Sequence, residues 1–239
     1  MTKVTALGSA DAFNSAGRGH TCWLIEDDRG VCAVDFGATA LMALKRLGRE
    51  PNGIDAVHFT HLHGDHIGGW PFLLVDAVYR EKRVRPLVAS GPPGTRERLQ
   101  QLWSACYARA ADKPLPFELT VHEMQAGETA RLAGREVRAF AAQHATPPDV
   151  ALSLRIGGLA FTGDTGVIAD GLLDGARLLC AECTHAAGTD SRHLSWDQLK
   201  DVKIPMLLAH LGEEARKRLQ PRDGVVICDD LTAWTGSSS

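Results

Sequence analysis

The sequence predicts an α/β fold built on mixed β-sheets. Strand-like apolar runs alternate with helical segments along most of the 239 residues. Several strand-like runs follow one another without an intervening helix, so both parallel and antiparallel neighbours are expected. Histidine and aspartate residues repeatedly follow the ends of these runs, which is where α/β sheets place their chemistry.

The order of elements is consistent with a single domain over residues 1–239. Strands are expected near 3–7, 21–26, 31–35, 56–59, 86–90, 117–122, 136–141, 151–156, 159–163, 178–182, 206–210 and 224–227. Helices are expected near 39–47, 68–80, 95–110, 196–201 and 213–219. The helix at 196–201 follows Ser195, a residue type that commonly caps helix N-termini. Residues 235–239 are small and polar and predict a flexible tail.

Metal-ligating side chains are densest in the stretch 60–66, which contains three histidines and an aspartate. Imidazole and carboxylate groups suit zinc and similar first-row metals. His61 and His63 are two positions apart, so they point the same way from an extended backbone. Asp65 and His66 point elsewhere as the chain turns. Four potential ligands exceed what one tetrahedral ion takes from so short a loop, and the spacing therefore predicts two metals sharing a site.

Residues 61–66 match the pattern His-x-His-x-Asp-His in full, and through it the chain resembles the metallo-β-lactamase-fold superfamily. The resemblance implies a four-layer αβ/βα sandwich of two mixed sheets, with a dimetal site at one edge of both sheets. Three further candidates each follow a strand-like run, namely His144, Asp164 and His210. The resemblance implies one metal on His61, His63 and His144, a second on Asp65, His66 and His210, and Asp164 bridging them. Zinc is favoured, although manganese and iron accept the same ligands.

Segments 7–18, 34–37 and 88–94 resemble the ribonuclease Z-like branch of this superfamily. That branch carries an acidic residue and a histidine in the interval where this chain has Glu182 and His193. The resemblance implies that the histidine protonates the leaving oxygen while the acid orients it, an arrangement suited to general-acid catalysis.

Two alternatives to this assignment stay open. His193 could merely precede the helix that begins after Ser195, and His185 is a competing proton donor in the same loop. Asp65 is expected to orient the nucleophile as well as to bind metal.

The resemblance implies hydrolysis of a phosphodiester by a hydroxide that bridges two metals, on a small diester or a short RNA. The alternatives are hydrolysis of an aryl sulfate or a lactone, tRNA 3′ processing, and a non-catalytic scaffold of the same fold. Lactonases of the superfamily carry a tyrosine after the bridging aspartate, where this chain has Thr165. A scaffold would be expected to lack ligands, and none is lost here.

Composition narrows the range of partners. The formal net charge is −3 and the isoelectric point is about 6.4, which argues against a large nucleic-acid footprint. No basic, glycine-rich arm of the kind that grips tRNA is evident, so we expect a small-molecule ester substrate and no stable nucleic-acid complex. The sequence shows no signal peptide and no apolar run of membrane-spanning length, which predicts a cytoplasmic enzyme without a membrane partner. The resemblance also implies that a homodimer can form.

Overall fold

The computed structural model describes residues 1–220 and 222–236, and within them the chain forms two seven-stranded sheets. The first six strands are β1 (Thr2–Gly8), β2 (Cys22–Asp27), β3 (Gly30–Val34), β4 (Ile54–His58), β5 (Leu87–Gly91) and β6 (Leu119–Glu123). The next seven are β7 (Thr129–Leu132), β8 (Arg135–Ala142), β9 (Ala151–Ile156), β10 (Leu159–Phe161), β11 (Leu178–Glu182), β12 (Met206–Ala209) and β13 (Val225–Ile227). The last described strand is β14 (Thr232–Gly236).

Both sheets are mixed, as the sequence predicts. The first has the order β14-β1-β2-β3-β4-β5-β6, antiparallel from β14 to β3 and parallel from β3 to β6. The second has the order β13-β12-β11-β10-β9-β8-β7, parallel from β13 to β10 and antiparallel beyond it. The parallel half of each sheet gathers the carboxyl ends of its strands at one edge.

Helices cover the outer face of each sheet. They are α1 (Ala40–Arg46), α2 (Gly64–Ile67), α3 (Trp70–Val75), α4 (Thr95–Ala111), α5 (Trp196–Leu199) and α6 (Glu213–Arg218). The helix predicted over 68–80 forms from residue 70 onward, as α3 followed directly by a π-helical turn over Asp76–Arg80. The short helix α2 was not predicted, and it is separated from α3 by Gly68 and Gly69. A Cβ on Gly69 would lie 2.4 Å from the carbonyl oxygen of Gly37, so the chain bends there against a neighbouring loop. Across the described residues, no helix has the length and apolarity needed to cross a bilayer.

Three apolar clusters define the layers. The central cluster lies between the sheets and contains Trp23 and Phe161, whose ring centroids are 6.4 Å apart. A second cluster joins the first sheet to α1, α3 and α4, with Trp70 at its centre. The third joins the second sheet to α5 and α6 through residues such as Leu199 and Leu208. The order helix, sheet, sheet, helix is the predicted four-layer sandwich.

Two short strands were missed by the sequence analysis, β7 and β14. The flexible tail predicted over 235–239 is wrong for Thr235 and Gly236, which pair with Lys3 and Thr2 of β1. Residues 237–239 lie outside the described part of the chain. The short run of residues in β14 carries little strand signal of its own, and its conformation depends on pairing with the other end of the sequence.

His58 ends β4 with its side chain fully buried. Its Nδ1 lies 2.8 Å from the Ser90 hydroxyl, and its Nε2 has no hydrogen-bond partner among the described residues. Burial, aided by the positive charge of Arg135, lowers the pKa of His58 to about 4. In an unfolded chain this pKa is about 6.5, so only the unfolded state binds a proton between these two values. The contribution of neutral, buried His58 to the free energy of unfolding is therefore fully present above about pH 6.5. It is lost as the pH falls toward 4, which lowers the free energy of unfolding by up to roughly 3 kcal/mol.

Replacing His58 with asparagine retains a hydrogen-bonding group near Ser90 but removes the titration. We expect His58→Asn to flatten the decline in unfolding free energy between pH 6.5 and 4, measured by urea denaturation at one fixed metal concentration. The matched control is His122→Asn, because the His122 side chain is 37% exposed. If the free energy of unfolding depends on pH in the same way in wild type and in His58→Asn, its decline is not caused by protonation of His58.

Candidate metal centre

Three imidazoles converge beside the edge of the two sheets. His61 and His63 lie in the loop after β4, and His144 follows β8. The Nδ1 atom of His63 lies 3.0 Å from His61 Nε2 and 3.1 Å from His144 Nε2. Three ring nitrogens aimed at one point cannot all be satisfied by hydrogen bonds to one another, whereas a cation accepts all three lone pairs. As predicted, the two histidines spaced two apart belong to the same group.

A second group lies alongside the first. Asp65 and His66 are carried by α2, and His210 follows β12. The Asp65 Oδ2 atom lies 3.2 Å from His66 Nε2 and 3.4 Å from His210 Nε2. The change from extended loop to helix at Gly64 is what separates these ligand candidates from the first group.

Asp164, in the loop after β10, lies between the two groups. Its Oδ2 atom is 3.9 Å from His61 Nε2, 3.8 Å from His144 Nε2 and 3.3 Å from His210 Nε2. Its Oδ1 atom is 3.4 Å from His66 Nε2. The structure thus brings together all seven side chains that were predicted as metal ligands, in two groups that share one carboxylate.

Contact between the sheets sets these loops against one another. The backbone N–H of Leu152 in β9 donates to the carbonyl of Thr60, at 2.8 Å, and so joins the second sheet to the loop after β4. Gly163 has a φ of +56°, and a Cβ there would lie 2.7 Å from the Thr60 Cβ. Glycine is the residue that tolerates both this backbone conformation and this approach, and it places Asp164 directly beside the histidine loop.

Two buried atoms of the site test whether its residues suit a metal. His66 Nε2 and Asp164 Oδ1 are buried and have no hydrogen-bond partner among the described residues. They face each other at 3.4 Å, a distance at which they attract only when His66 Nε2 carries a proton. A buried polar group left unpaired costs about 1–3 kcal/mol. Since both are good ligands for a divalent cation, the donor set fits the metal centre that the sequence predicts.

The electrostatics of the site are dominated by buried carboxylates facing imidazoles. Burial alone would lower the pKa of His66, but the carboxylates of Asp164 and Asp35 hold it well above its usual value. Burial would likewise lower the pKa of His210, which Asp164 and Asp65 raise to about 9. Burial and the neighbouring His66 hold the pKa of His61 well below its usual value. An imidazole nitrogen must lose its proton to bind a metal, so acid should compete with metal at His66 and His210.

Asp35 supports the site and was not predicted to do so. It follows β3, is buried, and accepts from His66 Nδ1 at 2.8 Å and from the Thr60 backbone N–H at 2.8 Å. Its φ of +58° is unusual for aspartate. A carboxylate that binds the far nitrogen of a ligand imidazole fixes its tautomer and orientation. The segment 34–37 was noticed in the sequence for its resemblance, but nothing there indicated which side chain Asp35 would meet.

Glu182 and His193 form a pair beside Asp164. His193 Nδ1 lies 3.1 Å from each oxygen of Glu182 and 3.9 Å from Asp164 Oδ2. Burial would lower the pKa of His193, but the bond to Glu182 raises it above its usual value. Its side chain is 24% exposed, so the ring can meet a ligand from solvent. His185, the alternative proton donor, lies with its ring centroid 6.2 Å from that of His193.

A pocket of about 540 Å³ opens beside His144. It is lined by His144 together with Gln143, Thr146, Val167 and Arg192. The backbone carbonyl of Arg192 also accepts from His144 Nδ1, at 2.9 Å. The same loop therefore orients one ligand candidate and forms a wall of the space in front of it.

Sequence comparison supports the resemblance noted above. Residues 2–225 match the family model described as Anti-Pycsar protein Apyc1. The ribonuclease Z of Methanothermobacter thermautotrophicus is 32% identical over 127 residues, which are 53% of this chain and 39% of that protein. The ribonuclease Z of Lachnospira eligens is 32% identical over 146 residues, 61% of this chain and 46% of that protein. The chain thus spans less than half the length of these curated relatives.

Solved structures of low sequence identity share the fold along nearly the whole chain. The metallo-β-lactamase fold protein YhfI from Bacillus subtilis has a TM-score of 0.75 at 22% identity and covers 98% of this chain and 99% of its own. A diphosphatase from the PhnP family has a TM-score of 0.74 at 17% identity, with 99% and 98% covered. Zinc-bound PqqB from Methylobacterium extorquens has a TM-score of 0.68 at 15% identity, with 98% and 99% covered. The chain has the metallo-β-lactamase fold, is ribonuclease Z-like, and belongs to the family described as Anti-Pycsar protein Apyc1.

Proposed function

We propose that this protein is a dimetal-dependent phosphodiesterase that acts on a small diester or a short RNA rather than on precursor tRNA. The observation that carries the proposal is the Glu182–His193 pair, placed 3.9 Å from the carboxylate shared by two ligand groups. A proton donor next to the ligand candidates suits a reaction that must expel a poor leaving group. Ester bonds to an alkoxide are of this kind.

Seven residues would hold the metals, namely His61, His63, His144, Asp65, His66, His210 and Asp164. When bound, two divalent cations neutralise the charge of a diester and lower the pKa of water toward about 7. Zinc is the favoured occupant, in line with zinc-bound PqqB, whose fold this chain shares. Manganese and iron accept the same imidazole and carboxylate ligands.

Glu182 and His193 would supply the proton that the leaving oxygen takes up. Glu182 accepts from His193 Nδ1, which leaves Nε2 free to donate to a leaving oxygen. The raised pKa of His193 keeps the ring protonated at neutral pH more often than a free histidine. General-acid catalysis of this sort contributes about 10²- to 10⁴-fold. Asp65, whose Oδ2 atom lies among the ligand candidates at 3.2 Å from His66 Nε2 and 3.4 Å from His210 Nε2, would orient the attacking water as well as bind metal.

The net charge of the chain and the volume of the pocket beside His144 both favour a small substrate. The chain has a net charge of −3, which argues against binding of a long polyanion, because such binding normally requires a basic surface. The pocket beside His144 is about 540 Å³, which accommodates a small diester. We therefore favour a small-molecule ester as the partner.

A substrate panel tests the proposal directly. We expect purified protein supplied with zinc or manganese to hydrolyse bis-p-nitrophenyl phosphate and at least one unactivated diester, with cyclic nucleotides included in the set. Aryl sulfate and lactone substrates should react far more slowly. Cleavage of a tRNA 3′ trailer at a rate similar to that of small diesters would contradict the proposed substrate class, and activity on the sulfate or lactone alone would contradict the reaction type.

Metal content is expected to be about two ions per chain, because seven ligands exceed one tetrahedral shell. Elemental analysis of protein prepared without chelator measures it. Asp164→Ala should lose the most metal among single ligand variants, since this carboxylate faces both groups. Asp170→Ala is the matched control, as Asp170 is exposed six residues further on. A stoichiometry near zero after reconstitution would rule out the dimetal assignment.

Removal of the proton donor should affect substrates unequally. We expect His193→Ala to retain both metals and much of its activity on bis-p-nitrophenyl phosphate, because p-nitrophenolate leaves without a proton. Its rate on an unactivated diester should fall by roughly 10² or more. Glu182→Gln should show the same selectivity to a smaller degree.

Two further variants make that result decisive. His122→Ala changes a surface histidine and should match wild type on both substrates, whereas His185→Ala tests the competing donor. Equal losses on both substrates in His193→Ala would assign His193 to binding or structure, and selective loss in His185→Ala would move the donor to that residue.

A further inference from the structure

Thr184 lies two residues after Glu182, and its hydroxyl is surrounded by groups of the site. The Oγ1 atom is 2.6 Å from Glu182 Oε2, 3.0 Å from His210 Nδ1 and 3.3 Å from His193 Nδ1. It also lies 3.1 Å from the backbone carbonyl oxygen of His210. One hydroxyl therefore contacts a ligand candidate for the metal, the proposed proton donor and the acid that orients this donor.

The single hydrogen of this hydroxyl can be assigned from its acceptors. Two groups accept whatever the tautomers of the histidines, the Glu182 carboxylate at 2.6 Å and the His210 carbonyl at 3.1 Å, whereas the Nδ1 atoms of His210 and His193 accept in one tautomer only. The carboxylate is nearer and is the stronger acceptor, because hydrogen bonds to charged groups are shorter and stronger. The Glu182 carboxylate also accepts from the Thr165 backbone N–H, at 2.7 Å. Its oxygens are thus held by donors on two sides, and Thr184 is one of these donors.

With its hydrogen given to Glu182, the Thr184 oxygen can only accept from His210. The proton of a neutral His210 ring is then on Nδ1, and the lone pair on Nε2 is free. Nε2 is the nitrogen that lies 3.3 Å from Asp164 and 3.4 Å from Asp65. The hydroxyl therefore presents the correct nitrogen of His210 to the place where a metal would bind.

The Thr184 hydroxyl also lies next to the Glu182–His193 pair. His210 and His193 lie nearly parallel, with ring centroids 5.5 Å apart and an interplanar angle of 15°. Both rings direct Nδ1 toward the Glu182 and Thr184 oxygens. The backbone of His210 has a φ of +51°, a conformation that needs support from its surroundings. Thr184 lies within hydrogen-bond distance of both the ring and the carbonyl of this residue.

We propose that Thr184 is a positioning residue that links metal binding to proton donation, by fixing the tautomer of His210 and the orientation of Glu182 with one hydroxyl. The metal-binding half of this inference stands on geometry alone. The half that concerns proton donation rests on the proposed phosphodiesterase function.

Thr184→Val removes the hydroxyl while keeping the branched shape of the side chain. We expect it to weaken binding of zinc by about 10- to 100-fold, the range found when a group that orients a ligand is lost. Activity at saturating zinc should fall more on an unactivated diester than on bis-p-nitrophenyl phosphate. Thr184→Ser restores the hydroxyl without the methyl group and should recover both zinc affinity and activity.

Zinc affinity is measured by competition with a chromophoric chelator, on protein shown by circular dichroism to be folded. Thr120→Val is the matched control, because Thr120 is exposed on β6, and it should bind zinc as wild type does. If Thr184→Val does not fold, Thr184→Ala and Thr184→Ser provide the same comparison. Zinc affinity is independent of hydrolysis, so failure of the phosphodiesterase proposal leaves this half of the test intact. Wild-type zinc affinity in the variants lacking the hydroxyl, or equal defects in Thr184→Ser, would overturn the inference.

Discussion

The site depends on the interaction of one buried carboxylate with the imidazoles around it. The carboxylate belongs to Asp164, and the imidazoles are those of His61, His66, His144 and His210. Without a cation, two of the facing atoms, Asp164 Oδ1 and His66 Nε2, have no hydrogen-bond partner among the described residues. Burying charge without compensation is costly, and proteins retain such arrangements where pairing or metal binding compensates. The geometry of the surrounding loops is best understood as a means of holding this carboxylate in place.

The sandwich positions these loops by joining its two sheets at several points. Near the site, the Thr60 carbonyl accepts from β9, and Gly163 allows the loop after β10 to press against it. Far from the site, Arg135 at the start of β8 donates to both oxygens of Asp27 at the end of β2, at 2.6 and 2.7 Å. Both partners of this ion pair are nearly buried. Breaking a buried pair typically costs about 3–5 kcal/mol, so it helps to fix the relative placement of the sheets.

The ligand candidates and the Glu182–His193 pair share one hydrogen-bond network in this protein. His210 belongs to the ligand group, His193 to the acid pair, and Glu182 and Thr184 lie between them. The network is largely buried, where hydrogen bonds are stronger and an unsatisfied group is more costly than in water. A change at one member is therefore felt by the others, which explains why the roles of these residues need separate measurements of metal affinity and of leaving-group dependence.

From the sequence by itself, most of the strands could be predicted, and its resemblance to the metallo-β-lactamase fold implied the four-layer sandwich and the set of ligand candidates. This was feasible because four of the candidates lie within residues 61–66 and the others directly follow strand-like runs, so that each signal is local. Tertiary structure alone decided the break between α2 and α3, the pairing of β14 with β1, and the parts played by Asp35 and Thr184. Each of these depends on an atom supplied by a distant segment: the Gly37 carbonyl, the β1 backbone, the His66 ring and the His210 ring. No local pattern encodes such contacts, because they exist only once segments far apart in the sequence have folded next to one another.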